Sequence, residues 1–220
     1  VLFRSSSQLL SDQLASVPDP RVQRFAPKLL RSLERAIAFC QSTLSYGRAQ
    51  EAAPDRRVIM VEPAVAEVRE SAGLATDVSI TWISAIERGL TIDADPDQLF
   101  RVLLNLVRNA TQALESRQDG DGGAQQIRIT GRREGTVAII EVSDTGPGVP
   151  AKAREHLFEA FQTSGRPGGS GLGLAIAAEL IRAHGGHIHL VEGTIGATFR
   201  ISIPDRPVEL LSVRSERARA

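Results

Sequence analysis

Asp95-Pro-Asp-Gln-Leu-Phe-Arg-Val-Leu-Leu-Asn105-Leu-Val-Arg-Asn109-Ala-Thr-Gln-Ala-Leu-Glu-Ser116 reads as one long amphipathic helix. Leu99, Val102, Leu103, Leu106 and Ala110 recur at steps of three and four and fill one stripe. Asn105 and Asn109 stand four residues apart, hence on one face. Taken alone they read as two solvent-exposed amides. Yet asparagine is a poor helix former, and the run Leu103-Leu104-Asn105-Leu106-Val107 is otherwise apolar. A buried amide needs polar partners. One chemistry that supplies them is a magnesium ion bridging nucleotide phosphates, coordinated by the side-chain oxygen of Asn109. Magnesium takes few protein ligands and completes its shell with phosphates and water.

Around this helix the pattern alternates. Residues 57–62 predict a strand and residues 63–72 a helix started by proline. Residues 78–85 alternate (Val78, Ile80 and Trp82 against Ser79 and Thr81) and predict a strand, as do residues 90–93. Residues 127–132 and 137–142 predict a hairpin turning at Glu134-Gly135. Residues 171–184 predict a helix closed by Gly185-Gly186, and residues 187–191 and 197–203 a last hairpin. Helices mixed with mostly hairpin-joined strands indicate an α+β fold, a two-layer sandwich with helices on one face of a sheet. No internal repeat is present.

Two glycine-rich segments flank the second half. Asp144-Thr145-Gly146-Pro147-Gly148 follows the strand at 137–142, and by itself it is a plain turn. Its chemical reading gives the Asp144 carboxylate the exocyclic amine of adenine. Guanine presents a carbonyl there and is rejected. The glycines let the backbone approach base and sugar. Gly168-Gly169-Ser170-Gly171-Leu172-Gly173 opens the helix at 171–184. It is either a flexible loop or a cradle of free N–H groups for an anion. No Lys-Ser/Thr follows, as a Walker P-loop requires, and no strand runs directly into it, as a dinucleotide fold requires.

Composition narrows the classes. In 220 residues, 26 Lys+Arg balance 26 Asp+Glu, at pI ≈ 7.1. That excludes the cationic footprint of a dedicated nucleic-acid binder or of a polybasic membrane-surface protein. No apolar run approaches the ~18 residues of a spanning helix, so this fragment itself makes no membrane contact. Cys40, the single cysteine, permits neither an intrachain disulfide nor a multi-cysteine metal site. Lys28 and Lys152 are the only lysines, so a phosphate clamp must lean on arginine, backbone N–H groups or metal.

Taken in order, Asn105-Leu-Val-Arg-Asn109-Ala, Asp144-Thr-Gly146-Pro-Gly148, Leu157-Phe158-Glu-Ala-Phe161 and Gly169-Ser-Gly171-Leu-Gly173-Leu resemble the N, G1, F and G2 boxes of sensor histidine kinases. These share the Bergerat ATP-binding fold with gyrase, MutL and Hsp90. The resemblance covers residues 55–205. It implies ATP and Mg²⁺ as cofactors, Asp144 on adenine with Gly146 and Gly148 beside it, and Asn109 on the metal. It further implies residues 162–170 as a mobile lid anchored by Phe158 and Phe161, with Gly169, Gly171, Leu172 and Gly173 at the nucleotide. Thr198 matches a threonine near adenine. Arg108, Gln112, Ser164 and Arg166 occupy neighbourhoods where many relatives carry lysine; of these, Arg108 and Arg166 are the candidates to neutralise phosphate charge. Ala113 replaces a frequent aromatic. Asn109-Ala-Thr-Gln-Ala-Leu114 is similar to the nitrogen-sensor branch. Asn105 is the candidate catalytic residue: hydrolysing members carry Glu there, which acts as a general base on water, whereas an amide cannot. Asn105 therefore keeps the γ-phosphoryl group for a protein acceptor.

The first 52 residues predict a truncated helical hairpin. Residues 8–17 end one helix, Asp19 caps the next with Pro20 at its first position, and Val22, Ala26, Leu29, Leu33, Ala36, Cys40 and Leu44 form a stripe of about 3.5 residues over 21–48. Pro27 predicts a kink. The boundary is expected near 52–55, and residues 206–220 are expected to be a frayed tail. The stripe reads as half of a dimeric four-helix bundle on which a response regulator receiver domain also docks. The chain starts at Val1, not Met, and is expected to begin inside a longer protein; residues 1–5 read like translated adapter DNA and are left out of the fold expectation. His156, His184, His187 and His189 lie outside the hairpin, and an acceptor histidine is expected upstream of Val1. The resemblance implies a cytoplasmic module, whether or not the intact protein is anchored in a membrane. Two alternatives stay open: an ATP-sensing scaffold without transfer, and a protein kinase of the anti-sigma-factor type.

Overall fold

The computed structural model describes residues 19, 21–23, 25–26, 53–76, 79–116, 123–161 and 171–206. The expected helix at 21–48 and its kink at Pro27, the segment 162–170 with Arg166 and Gly169, and the tail beyond 206 therefore lie largely or wholly outside the described residues. The chain divides into two compact units. One consists of Pro54–Gly148 and Leu180–Ala220, the other of Val1–Ala53 and Val149–Glu179.

The first of these holds the sheet. Its elements are β1 (Arg57–Met60), α1 (Val61–Ser71), β2 (Thr81–Ile86), β3 (Thr91–Ala94), α2 (Pro96–Glu115), β4 (Gln126–Glu134), β5 (Val137–Asp144), β6 (His187–Leu190) and β7 (Thr198–Pro204). Five strands form one sheet in the order β2-β4-β5-β7-β6, and β1 pairs with β3 in a separate two-stranded ladder. α2 packs against α1 and against β4 and β5. This is the α+β sandwich expected from the pattern. One pairing differs: β2 runs parallel to β4, with Thr81 opposite Gln126 and Ile86 opposite Gly131. Between those strands the chain crosses through β3 and α2, so no hairpin turn announces the contact.

α2 is the organising helix. Asp95 caps it, with Oδ1 accepting the N–H groups of Asp97 and Gln98 at 3.0 Å each, and Pro96 takes the first position, where the missing N–H costs nothing. Leu99, Val102, Leu103, Leu106, Val107 and Leu114 are at most 1% exposed. Each large aliphatic side chain so buried contributes about 1.5–3 kcal/mol, so this stripe anchors the layer. α1 begins two residues earlier than expected, at Val61, because Val61, Val65 and Val68 form its buried stripe. Pro63 falls inside the first turn, where backbone N–H groups have no intrahelical acceptor anyway.

The ends of the unit are tied by arginine and histidine. Arg206 grips Asp93 with two nitrogens, Nε to Oδ2 at 2.8 Å and Nη2 to Oδ1 at 3.0 Å. Arg56 reaches Asp93 Oδ2 at 3.2 Å and donates to the carbonyls of His184 and Pro204. Burial pushes the Asp93 carboxyl up, yet the hydrogen bonds from Arg206 and the charges of Arg56 and Arg206 outweigh it and hold the group below the ordinary carboxylate value.

His184 closes the helix that follows the glycine segment. It is 1% exposed. Its Nε2 accepts the N–H of Asp95 at 3.0 Å, and Nδ1 lies 2.7 Å from the carbonyl of Leu180. That geometry requires a neutral ring with the proton on Nδ1. His184 is therefore a neutral link between two helices. Burial is the main reason that its pKa is lowered. A histidine depressed in the folded state contributes its stability in full above the ordinary value of 6.5 and loses it as pH falls below that value toward the folded one. Chemical denaturation at about pH 7.5 and pH 5.5 is expected to show lower stability at the acid value. His184→Ala is expected to cost about 2 kcal/mol and to flatten that slope.

The second unit contains, among its described residues, α3 (Ala151–Arg154) and the first part of α4 (Gly173–Ala183), which crosses the division at Glu179. Residues 21–23 and 25–26 are helical. As the sequence predicts, Asp19 starts that turn: its Oδ1 accepts the N–H of Arg21 at 2.8 Å and its carbonyl that of Gln23.

Candidate functional site: a carboxylate at the end of an asparagine stripe

α2 carries Asn105, Asn109 and Ala113 at steps of four, hence on one side of the helix. Both amides are half-buried and Ala113 is buried. Arg108 and Gln112 project from exposed positions beside the stripe. Ala113 fixes where the stripe leads. A Cβ on Gly146 would sit 3.1 Å from the Ala113 Cβ and 2.8 Å from Asp144 Oδ1. Gly146 is thus wedged between the helix and the Asp144 carboxylate. At 1.5 Å per residue, Asn109 lies about 6 Å and Asn105 about 12 Å along the axis from that contact.

Asp144 ends β5 and is 6% exposed. Its Oδ1 accepts two backbone N–H groups, from Gly146 at 2.8 Å and from Ala197 at 3.3 Å. Its own N–H donates to the carbonyl of Ala197 at 2.9 Å. A carboxylate oxygen bound by backbone donors cannot swing with solvent, so the group is preorganised as an acceptor. Gly148 and Gly196 meet back to back, both in the left-handed region at φ +75° and +72°. A Cβ on Gly148 would come within 2.9 Å of the Gly196 carbonyl, and one on Gly196 would run into the Asp144 carbonyl. Thr145 pins the loop from the other side. Its Oγ1 donates to the carbonyl of Ala124 at 2.7 Å and accepts the N–H of Gln126 at 3.0 Å. Thr198 is buried at the start of β7, opposite Ser143, and donates to the Ser143 hydroxyl at 3.0 Å.

Of the sequence-predicted residues, the structure therefore brings Asp144, Gly146, Gly148 and Thr198 to one end of the sheet, beside the stripe that carries Asn105 and Asn109. Gly171, Leu172, Gly173 and Phe161 belong to the other unit. There Gly171 and Leu172 precede α4, which starts at Gly173, and Leu172 is fully buried. The Phe161 N–H donates to the carbonyl of Gly171 at 3.0 Å. Phe161 adopts φ +65°, at a cost of about 1 kcal/mol for a residue with a Cβ. His156 is exposed and paired with Glu159 at 2.8 Å, which raises its pKa.

The donor set for a cation is sparse. Among the described residues no group of three or more His, Cys, Asp or Glu could hold a metal ion. A half-buried amide such as Asn109 fits a hard cation only where phosphate and water supply the other ligands, and that is magnesium's habit. The residues present fit a magnesium-nucleotide better than a protein-only metal cage.

Residues 94–207 match the model of the histidine kinase-, DNA gyrase B- and HSP90-like ATPase family. The chain belongs to that family. Within it, the chain is 33% identical over 214 residues to the sensory histidine kinase/phosphatase NtrB of Escherichia coli O157:H7, covering 93% of this chain and 58% of the relative. The chain thus spans little more than half the length of that curated relative. Among solved structures, full-length ShkA in complex with AMPPNP matches with TM-score 0.67 at 26% identity, over 91% of this chain and 45% of that one. Histidine kinase ThkA, in complex with response regulator protein TrrA, shares the fold with TM-score 0.66 at 22% identity, over 91% of this chain and 57% of that one. These likenesses, two of them to proteins named as histidine kinases, support the α+β class and the ATPase fold of that family. No helix among the described residues is long and apolar enough to cross a membrane.

Gly196 and Ala197 are the residues that sequence reasoning missed at this site. The available signal was Gly196-Ala197-Thr198-Phe199 directly before an alternating strand, but the contact with Asp144 joins residues 53 positions apart and has no local signature.

Proposed function

We propose that the chain holds magnesium-ATP along α2 and donates the γ-phosphoryl group to a histidine on a partnering dimerisation helix, for relay to a response regulator receiver domain. The observation that carries this reading is the Asp144 carboxylate, fixed by backbone N–H groups at the Ala113 end of the asparagine stripe. In this reading Asp144 accepts the adenine amine with Gly146, Gly148 and Thr198 around the base. Asn109 then faces the phosphates one turn further along the helix and is the metal ligand. Magnesium, when bound, supplies charge neutralisation on the phosphate oxygens. Arg108, Gln112 and Arg166 are the side chains assigned to phosphate. Gly169, Gly171, Leu172 and Gly173 keep the phosphate-cradle role on family resemblance.

Transfer then needs an imidazole nitrogen as nucleophile. Its lone pair attacks the γ-phosphorus, the bond to the bridging oxygen breaks, ADP leaves with that electron pair, and the imidazole N–H proton is released. Asn105 supplies no base for a competing water. The reading carries with it a homodimer through the 21–48 stripe, a cytoplasmic location and no nucleic-acid partner. NtrB as kinase/phosphatase, the AMPPNP complex of ShkA and the ThkA complex with TrrA support it by likeness.

Incubating the chain with γ-labelled ATP and a separately supplied NtrB-type dimerisation hairpin tests the assignment. Acid-labile label on the hairpin histidine is the expected result. ATP binding without any label supports the sensing scaffold instead, and label on serine or threonine of a protein substrate supports the anti-sigma-factor type.

A further inference from the structure

Asp144 is held from two sides, and the second side belongs to the loop between β6 and β7. Ala197 brackets it: its carbonyl takes the Asp144 N–H, and its N–H reaches Asp144 Oδ1. Gly196 presses its Cα against the same residue. A Cβ there would meet the Asp144 carbonyl and stand 2.9 Å from Oδ1. The left-handed φ of +72° at Gly196 turns the Ala197 N–H toward the carboxylate and the Gly196 carbonyl toward Gly148. With Gly146 donating to the same oxygen, the carboxylate is set by two backbone segments, one on each side. A base amine has to meet one particular oxygen along its lone pair, and hydrogen bonds weaken steeply off that line.

We infer that Gly196 and Ala197 are positioning residues for purine selection: they aim the Asp144 carboxylate at the group on purine carbon 6. This rests on the adenine reading given above. The clamp leaves sugar and phosphates untouched, so disturbing it should cost only the interaction with the exocyclic amine. The probes are ATP and purine riboside 5′-triphosphate, which lacks that amine, each titrated by calorimetry into the parent chain and into Gly196→Ala. ATP affinity is expected to fall about tenfold in Gly196→Ala, with purine riboside triphosphate bound as in the parent. Equal losses for both nucleotides, or no loss for either, overturn the inference.

Because a side chain at 196 can prevent folding, the parent is also read directly by amide NMR. The Ala197 N–H is expected to shift on ATP binding and to stay in place with purine riboside triphosphate. An Ala197 resonance that moves equally with both, or with neither, again overturns it. Should the parent bind the two triphosphates equally, the adenine reading itself fails and the inference falls with it. A parent that prefers ATP while Gly196→Ala keeps the same preference overturns the inference alone.

Discussion

Replacing Asp144 with asparagine is expected to weaken ATP binding ten- to a hundredfold while leaving the fold intact. The reasoning is local. Oδ1 already accepts the N–H groups of Gly146 and Ala197, and an amide can satisfy those with its oxygen. Its second atom then becomes an NH₂ donor, which in the proposed reading meets the NH₂ donor of adenine. Two opposed donors in a buried position leave both unsatisfied, worth about 1–3 kcal/mol, and each 1.4 kcal/mol is about tenfold in affinity. Discrimination against GTP should collapse for the same reason, because the guanine carbonyl now meets a donor. Competition titration of ATP and GTP against a fluorescent nucleotide checks both expectations. Unchanged ATP affinity in Asp144→Asn would remove the adenine assignment.

Asn109→Ala is expected to have the larger effect on chemistry. Asn109 is half-buried one turn from Ala113, where Gly146 meets the helix, and among the described residues no cluster of carboxylates or imidazoles stands ready to replace it. A site with so few protein donors has no reserve. Loss of this one should lower magnesium-dependent ATP affinity by about a hundredfold, the upper range for disturbing a metal shell, and should stop phosphoryl transfer to a supplied hairpin. The diagnostic is the response to chelator. EDTA should weaken ATP binding in the parent and change nothing in Asn109→Ala, since the variant has already lost what the metal provides. Retained magnesium dependence in the variant would move the metal elsewhere.

What was legible in the sequence followed range. α2 was predicted at 95–116 and spans Pro96–Glu115, because an apolar stripe with a cap and a proline at its first turn is a local signal repeated over five turns. The hairpin β4–β5 was legible from alternation, with the turn displaced by one residue to Gly135-Thr136. The parallel pairing of β2 with β4 was not, because nothing in either strand records which distant partner lies beside it. The start of α1 was misplaced because Pro63 looked like the first helical residue, when it is tolerated two positions further in. At the site, Asp144, Gly146 and Gly148 announced themselves as a cluster, as did Asn105 and Asn109. Their convergence required Ala113, whose small side chain lets Gly146 approach the helix; the sequence marked it only as a departure from a frequent aromatic. The clamp from Gly196 and Ala197, and the neutral tautomer of His184, depend on contacts between segments far apart in sequence.

The claim on which the rest stands is that one nucleotide lies between the α2 amides and the Asp144 loop. Paramagnetic broadening by Mn²⁺-ATP, read on the amide resonances of the isotopically labelled chain, tests it most directly. The account predicts selective broadening along Asn105, Asn109 and Ala113 and at Asp144, Gly146 and Ala197, strongest near Asn109 and fading toward Ala197. Broadening centred elsewhere on the chain, or none at saturating nucleotide, would contradict it.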